Sequence, residues 1–274
     1  MKEKYTILMS VYYKERPEYL KISIDSILAQ TIQPYQIIII KDGKLTLELD
    51  QVVSDYVNKY ENLFKVIELE YNKGLGEALR VGIDAAETEL IARMDSDDYS
   101  VPERCERQLE CFKKNPELKV VGSFEAEFIE NLDNVIAIHR VPETHKEIKQ
   151  FMRKRCALLH PTVMYKKSAV LECGSYRTVP LYEDYDLFVR MVLENDAYSY
   201  NIQENLYYIR TSEDFFKRRG GVKYMRTVLW FKWNQFSKGN MSLLDFGISG
   251  VGQAVVCLLP NSLRKLFYMK ILRK

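Results

Sequence analysis

Three carboxylates fall within four positions at Asp95-Ser96-Asp97-Asp98, directly after the apolar run Leu90-Ile91-Ala92-Arg93-Met94. Carboxylates that close repel one another, so a fold that keeps them together needs a compensating positive charge. A hard divalent cation takes oxygen ligands, and Mg²⁺ in particular is commonly held by one or two carboxylates plus the phosphates of a substrate. The run therefore suggests a metal-diphosphate site at the end of a strand. A lone D-x-D is a weak signal, because turns and helix caps use Asp freely. A helix opens just beyond at Val101-Pro102-Glu103, and Asp98 or Ser100 serves equally well as its cap.

Other groups at element ends admit two readings each. Glu183-Asp184-Tyr185-Asp186 either complements a helix dipole or supplies a general base beside a bound electrophile. Lys41-Asp42-Gly43 follows a strand: Asp42 either makes an Asp-Gly turn or accepts the N–H of a pyrimidine ring. Asn72-Lys73-Gly74-Leu75-Gly76 bridges a strand and a helix, as a plain turn or as an anion-binding helix start. It is neither the dinucleotide fingerprint nor a Walker loop. His160, before Pro161, reads first as a hydrogen-bonded structural residue. Arg218-Arg219-Gly220-Gly221 is a solvated loop or a segment suited to a phosphate.

The elements that must position these groups alternate in the first half. Thr6-Ile7-Leu8-Met9-Ser10-Val11 predicts a buried strand, and Pro17 starts a helix with a Leu20, Ile24, Ile27, Leu28 stripe. Gln36-Ile37-Ile38-Ile39-Ile40 predicts a strand covered on both faces. A helix through Leu49, Val52, Val53 and Tyr56, a strand at 64–69, a helix at 74–86 and the strand at 90–94 follow. This repetition predicts a parallel α/β sheet with ligands at the strands' carboxyl ends, where Tyr12, Asp42, Asn72 and Asp95 fall. The second half is more mixed. Helices are expected at 102–112, 167–173 (stopped by Gly174) and 184–193, strands at 120–128, 135–140 and 162–165, and a Thr144-x-x-Glu147 cap.

At 274 residues the chain is long enough for a full core, and its formal net charge of +2 gives no pull toward nucleic acid. Five scattered cysteines without a C-x-x-C pair point to free thiols in a reducing compartment, and no signal peptide is visible. A cytoplasmic location is expected. Residues 243–260 are apolar but interrupted by Asp245, barely reaching the ~18 residues of a spanning helix. Arg264, Lys265, Lys270, Arg273 and Lys274 follow with no carboxylate among them. This pattern suits either an anionic membrane surface or a docked helix with a solvated basic face.

Taken in order, these segments resemble the family 2 inverting glycosyltransferases of the GT-A fold. The residues carrying the resemblance are Ser10-Val11-Tyr12, Lys41-Asp42-Gly43, Asn72-Lys73-Gly74, Arg93-Met94-Asp95-Ser96-Asp97-Asp98, His160-Pro161-Thr162-Val163-Met164, Gly174-Ser175-Tyr176-Arg177 and Glu183-Asp184-Tyr185-Asp186-Leu187. The likeness is to bacterial enzymes that build capsule, exopolysaccharide or O-antigen units. It implies an α/β fold with a mixed, mainly parallel central sheet over residues 1–212, and a helical C-terminal extension over 213–274. Asp42 would read the pyrimidine base, with Tyr12 lining its pocket and Asn72 beside the donor. Asp97 would bind Mg²⁺ or Mn²⁺, while Asp95 reaches the metal or the ribose, and Arg93 steadies the nucleotide or the aspartates. Asp184 matches the catalytic base, Glu183 orients it or the acceptor, and Arg218 and Arg219 fall where a loop covers the donor in relatives.

The implied partners are a UDP-sugar, with a dTDP-sugar second, and a saccharide on a polyprenyl diphosphate at the inner face of the membrane, with no nucleic acid. The processive signature Q-x-x-R-W is absent, so transfer of one sugar is expected. Two alternatives remain at this stage. A nucleotidyltransferase would want a basic, glycine-rich loop where Tyr12-Tyr13-Lys14-Glu15 stands. A non-catalytic, membrane-associated scaffold would need neither acidic cluster.

Overall fold

The computed structural model describes residues 3–211, 219–260 and 263–264. Its frame is one mixed sheet in which β1 (Tyr5–Val11), β2 (Gln36–Lys41), β3 (Phe64–Glu68) and β4 (Leu90–Met94) run parallel in the order β3-β2-β1-β4. The chain builds outward from β1 through β2 to β3, then returns to place β4 on the other side of β1. That reversal opens a crevice beyond the carboxyl ends of β1 and β4, where α/β sheets take their ligands. Val11 pairs with Lys41 and Met9 with Met94, so Tyr12, Asp42 and Asp95 emerge along one rim.

The isoleucine run of β2 shows why both faces must be covered. Ile38 and Ile40 enter one core with Leu8 and Ile91, and Ile37 and Ile39 enter a second with Ile7 and Met9. Helices α1 (Pro17–Leu28), α2 (Leu47–Lys59) and α4 (Arg104–Lys114) close the second core through Leu20, Ile24, Val52 and Leu109. The first is closed by α3 (Leu75–Ala85), α5 (His145–Met152), α6 (Lys167–Glu172) and α7 (Glu183–Val189). Pro17 sits in the first turn of α1, and Thr144 and Glu147 form the expected capping box on α5. Gly174, at φ 80°, ends α6 as expected.

The sheet continues with β8 (Met164–Lys166), antiparallel to β4, then β6 (Val120–Phe128), β9 (Ser199–Arg210) and β5 (Tyr99–Ser100), while β7 (Val135–His139) pairs with β6. The twelve-residue β9 was not anticipated. Its Gln203-Glu204-Asn205 centre breaks the apolar alternation, and the register against β6 shifts there. Backbone pairing to β6 holds it regardless. Helix α7 runs into a π turn at Arg190–Glu194. Beyond it, α8 (Val222–Ser237) packs on α7, with Phe231 stacked on Tyr182 at 4.3 Å and in contact with Tyr185. Buried Lys232 donates to the Lys154 carbonyl at 2.7 Å, and burial lowers its pKa to about 8.

On β6, Glu125 and Glu127 are both buried, and His139 of β7 lies between them at 3.0 and 3.1 Å. Burial works against the imidazolium, but the two carboxylates win and push the His139 pKa up to about 9. A folded-state pKa above the unfolded value contributes stability that is complete below about pH 6.5 and is lost as pH rises through about 9. Chemical denaturation across pH 6 to 10 should show that loss, and His139→Gln should flatten it.

Candidate active site

The acidic run begins where β4 leaves the sheet, and its backbone is tied down from several sides. Ser23 of α1 donates to the Asp95 carbonyl at 2.7 Å, and the Asp95 N–H reaches the Tyr207 hydroxyl at 3.1 Å. Arg104 of α4 donates to the Arg93 carbonyl at 3.1 Å and to that of Pro161 at 3.0 Å. The three aspartates then diverge. Asp98 is buried and accepts from the Arg210 N–H at 2.7 Å and the Tyr207 hydroxyl at 3.0 Å, both on β9. It therefore joins β9 to the site instead of capping α4, whose N-cap is Glu103 without a side-chain bond. Ser100 does not cap it either: its hydroxyl takes a bond from Gln30.

Asp95 pairs with Arg93, whose guanidinium is almost wholly buried. The Asp97 carboxyl is pushed up to about 7, first by burial and then by the negative charges of Asp95 and Glu15. Glu15 was not anticipated as part of the site. It accepts from the Ser96 hydroxyl at 2.7 Å and so joins the Tyr12–Glu15 turn to the acidic loop. Among the described residues no three His, Cys, Asp or Glu side chains form a metal cage. A half-buried Asp97 with a raised carboxyl, beside Asp95, still suits a divalent cation that completes its shell with diphosphate oxygens.

Asp42 sits a few residues along the rim. Its two carboxylate oxygens accept the backbone N–H groups of Lys73 (2.7 Å) and Gly74 (3.0 Å), and the Asn72 side chain donates to its carbonyl at 3.2 Å. The Asp42 and Asn72 segments, thirty residues apart in the chain, are thus one unit. Gly43 permits the approach: it has φ +82°, and a Cβ there would lie 2.6 Å from the Asn72 nitrogen. Tyr12 stands half exposed at the mouth, edge-on to Tyr13.

Asp184 and Glu183 occupy the first turn of α7. The Tyr185 N–H donates to Asp184 at 2.7 Å, as the dipole reading expected. Burial nevertheless raises the Asp184 carboxyl, against that amide and the charges of Arg93 and Arg219. Glu183 is raised too, by burial and then by Asp184. Arg219 thus stands within electrostatic reach of the base candidate, whereas Arg218 lies outside the described residues. The helix is locked in place by buried Arg190, which pairs with Asp186 at 2.9 Å and donates to the Cys173 and Ser175 carbonyls. Gly76 lets α3 lie against this turn, since a Cβ would sit 3.0 Å from the Arg177 carbonyl. His160 is structural: burial keeps its imidazole neutral, and it bonds the Tyr176 hydroxyl at 2.7 Å.

This arrangement has an amide-bonded carboxylate on the rim, a paired acidic loop and a raised carboxylate at a helix start, parts that suit group transfer from an activated phosphate ester. Residues 6–178 match the profile of Glycosyl transferase family 2, and the chain belongs to that family and is a glycosyltransferase. Over 271 residues it is 35% identical to the UDP-Gal:alpha-D-GlcNAc-diphosphoundecaprenol beta-1,3-galactosyltransferase of Escherichia coli, covering 99% of this chain and 97% of that one. Its fold matches S. aureus TarS 1-349 in complex with UDP-GlcNAc (TM-score 0.63, 17% identity, 98% of this chain and 76% of that one). It also matches the Pyrobaculum calidifontis mannosyltransferase PcManGT in complex with GDP-Man and Mn²⁺ (TM-score 0.57, 12% identity, 98% and 85%). The mixed α/β GT-A fold is therefore established.

Arg93 Nε and Nη1 are buried without a protein hydrogen-bond partner among the described residues. A buried charge so incompletely bonded is a cost to folding. Its removal would nevertheless leave Asp95 and the neighbouring carboxylates without their counter-charge, so Arg93→Met should lower unfolding free energy by up to about 3–5 kcal/mol in urea denaturation. Activity should fall at least about tenfold, as expected of a charge preorganised for the reaction. Unchanged stability would show that the carboxylates keep their places without Arg93.

Proposed function

We propose that this enzyme transfers a single sugar, with inversion, from a UDP-sugar to a saccharide carried on a polyprenyl diphosphate. The observation that carries this proposal is the shared field of Arg93, whose charge reaches Asp95 and Asp97 on one side and Glu183 and Asp184 on the other. Both acidic clusters thus lie within reach of one buried cation. The E. coli relative, similar over nearly the whole of both chains, is named for a UDP-sugar donor and a diphosphoundecaprenol-linked acceptor, which supports both partners.

In this proposal Asp42 holds the pyrimidine ring through lone pairs not used by Lys73 and Gly74, and Tyr12 covers it. Asp97, with Asp95 beside it, would hold Mg²⁺ or Mn²⁺. Bound there, the cation supplies Lewis-acid neutralisation of the leaving diphosphate. Asp184 takes the proton from the acceptor hydroxyl as the oxygen attacks the anomeric carbon on the face opposite the nucleotide. Its raised pKa makes it the stronger base for that task. Glu183 orients the acceptor, and Arg219 adds positive charge within reach of Asp184. Inversion follows from a single in-line displacement. No helix among the described residues is long and apolar enough to cross a membrane. We place the enzyme in the cytoplasm, meeting its acceptor at the inner membrane face.

Calorimetry should detect UDP binding that requires Mn²⁺ or Mg²⁺, is abolished by chelator and weakens at least about tenfold in Asp97→Ala. Undiminished, metal-independent binding would exclude the metal role. Asp184→Asn should retain UDP binding while transfer falls by about 10²–10⁴-fold. Retained transfer in that variant would remove Asp184 as the base.

A further inference from the structure

The helices after α8 turn the wrong way out for water. Residues 243–258 form one continuous rod: α9 (Leu243–Phe246), a π turn (Gly247–Val251) and α10 (Gly252–Leu258). Its exposed side carries Leu244, Ile248, Val251, Val255 and Leu258 at steps of four, three, four and three, one helical face. These side chains are between 50% (Val251) and 70% (Leu244) exposed. A helix lying on a protein in water shows its polar face outward. Here the only charged residue of the rod, Asp245, is turned inward, where it accepts from the Ser242 hydroxyl at 2.8 Å and pairs with Lys154 at 3.4 Å.

The neighbouring α8 adds Trp230 and Trp233, 54% and 56% exposed, and the exposed cations Lys223 and Arg226. Aromatic rings with one apolar and one polar side settle at the boundary between lipid and water. From Val222 to Lys274 the sequence has nine Lys or Arg residues and one carboxylate, the inward Asp245. Neither Lys232, which is buried, nor Arg264 is among the surface charges. Arg264 folds back onto the Cys257 and Leu259 carbonyls and packs against Gly220. The outer face is thus apolar, aromatic and edged by positive charge, and the rod is too short and too glycine-rich to span. That combination fits an interfacial helix on anionic lipid.

We infer that the 243–258 rod and the Trp230–Trp233 edge of α8 dock this enzyme onto an anionic bilayer surface. This deepens the proposed use of a lipid-linked acceptor by assigning the surface that brings the site to it. Docking and transfer are read separately. Full-length protein should float with phosphatidylglycerol-containing vesicles and far less with pure phosphatidylcholine. Both tryptophans of the chain lie on this face, so their emission should shift to shorter wavelength with the anionic vesicles.

Ile248→Ser with Val255→Ser, and the harsher Ile248→Glu with Val255→Glu, should each weaken vesicle binding at least about tenfold. Transfer to a soluble acceptor analogue should stay within about twofold of the parent. Wild-type protein that ignores anionic vesicles overturns the inference, as does a pair of variants that float like the parent. A concentration-dependent dimer lost in the serine variant, without vesicle binding, overturns it in favour of a second copy as the occupant. Loss of transfer with docking intact would count against the proposed reaction alone.

Discussion

The buried guanidinium of Arg93 is the interaction on which the site depends. It leaves β4 at the centre of the sheet, pairs with Asp95 and extends its field to Asp97, Glu183, Asp184 and His160. In a medium that screens weakly, one positive charge can hold several carboxylates near each other that would otherwise drive the loop apart. It lowers the carboxyls on both sides while burial raises them, and burial wins at each. The result is a set of carboxyls held above their ordinary range, Asp97 at about 7, the kind of perturbation that functional sites carry.

The frame around Arg93 is stiff where it has to be. Ser23, Arg104 and Tyr207 fix the backbone of the acidic loop from three different elements, and Asp98 spends its whole carboxylate on β9. Asp186 and Arg190 do the same for α7 from the other side. The groups proposed to meet substrate, Asp42, Asp97 and Asp184, stand at element ends, carried by strands and helices whose own bonds are satisfied. Preorganisation of this kind lets charge develop without the protein having to move.

Much of this was legible in the residues themselves. The Ile37–Ile40 run, the Pro17 start, the Thr144–Glu147 box and the Gly174 stop are local signals, set by hydrophobic period and backbone geometry within a few positions. The order of motifs, from Ser10-Val11-Tyr12 to Glu183-Asp184-Tyr185, carried the family resemblance that the family profile now supports. What stayed hidden was non-local. The β9 strand has a polar middle, and its worth lies in pairing with β6, some eighty residues earlier. Glu15 looks like any surface carboxylate until Ser96 is brought to it. Asp98 looks like a helix cap until Arg210 and Tyr207 arrive from β9.

The sequence by itself determined the alternating frame, the identity of the charged groups and their place at strand ends, because periodicity and turn chemistry act over short stretches of chain. The tertiary structure alone decided how three adjacent aspartates divide their work, that Asp42 and Asn72 act as one unit, and that Asp245 and Arg264 face inward while a row of aliphatic side chains faces out. Those outcomes depend on which distant groups share a buried space. Burial and neighbouring charge set what a carboxylate does, and neither is written in the residue itself.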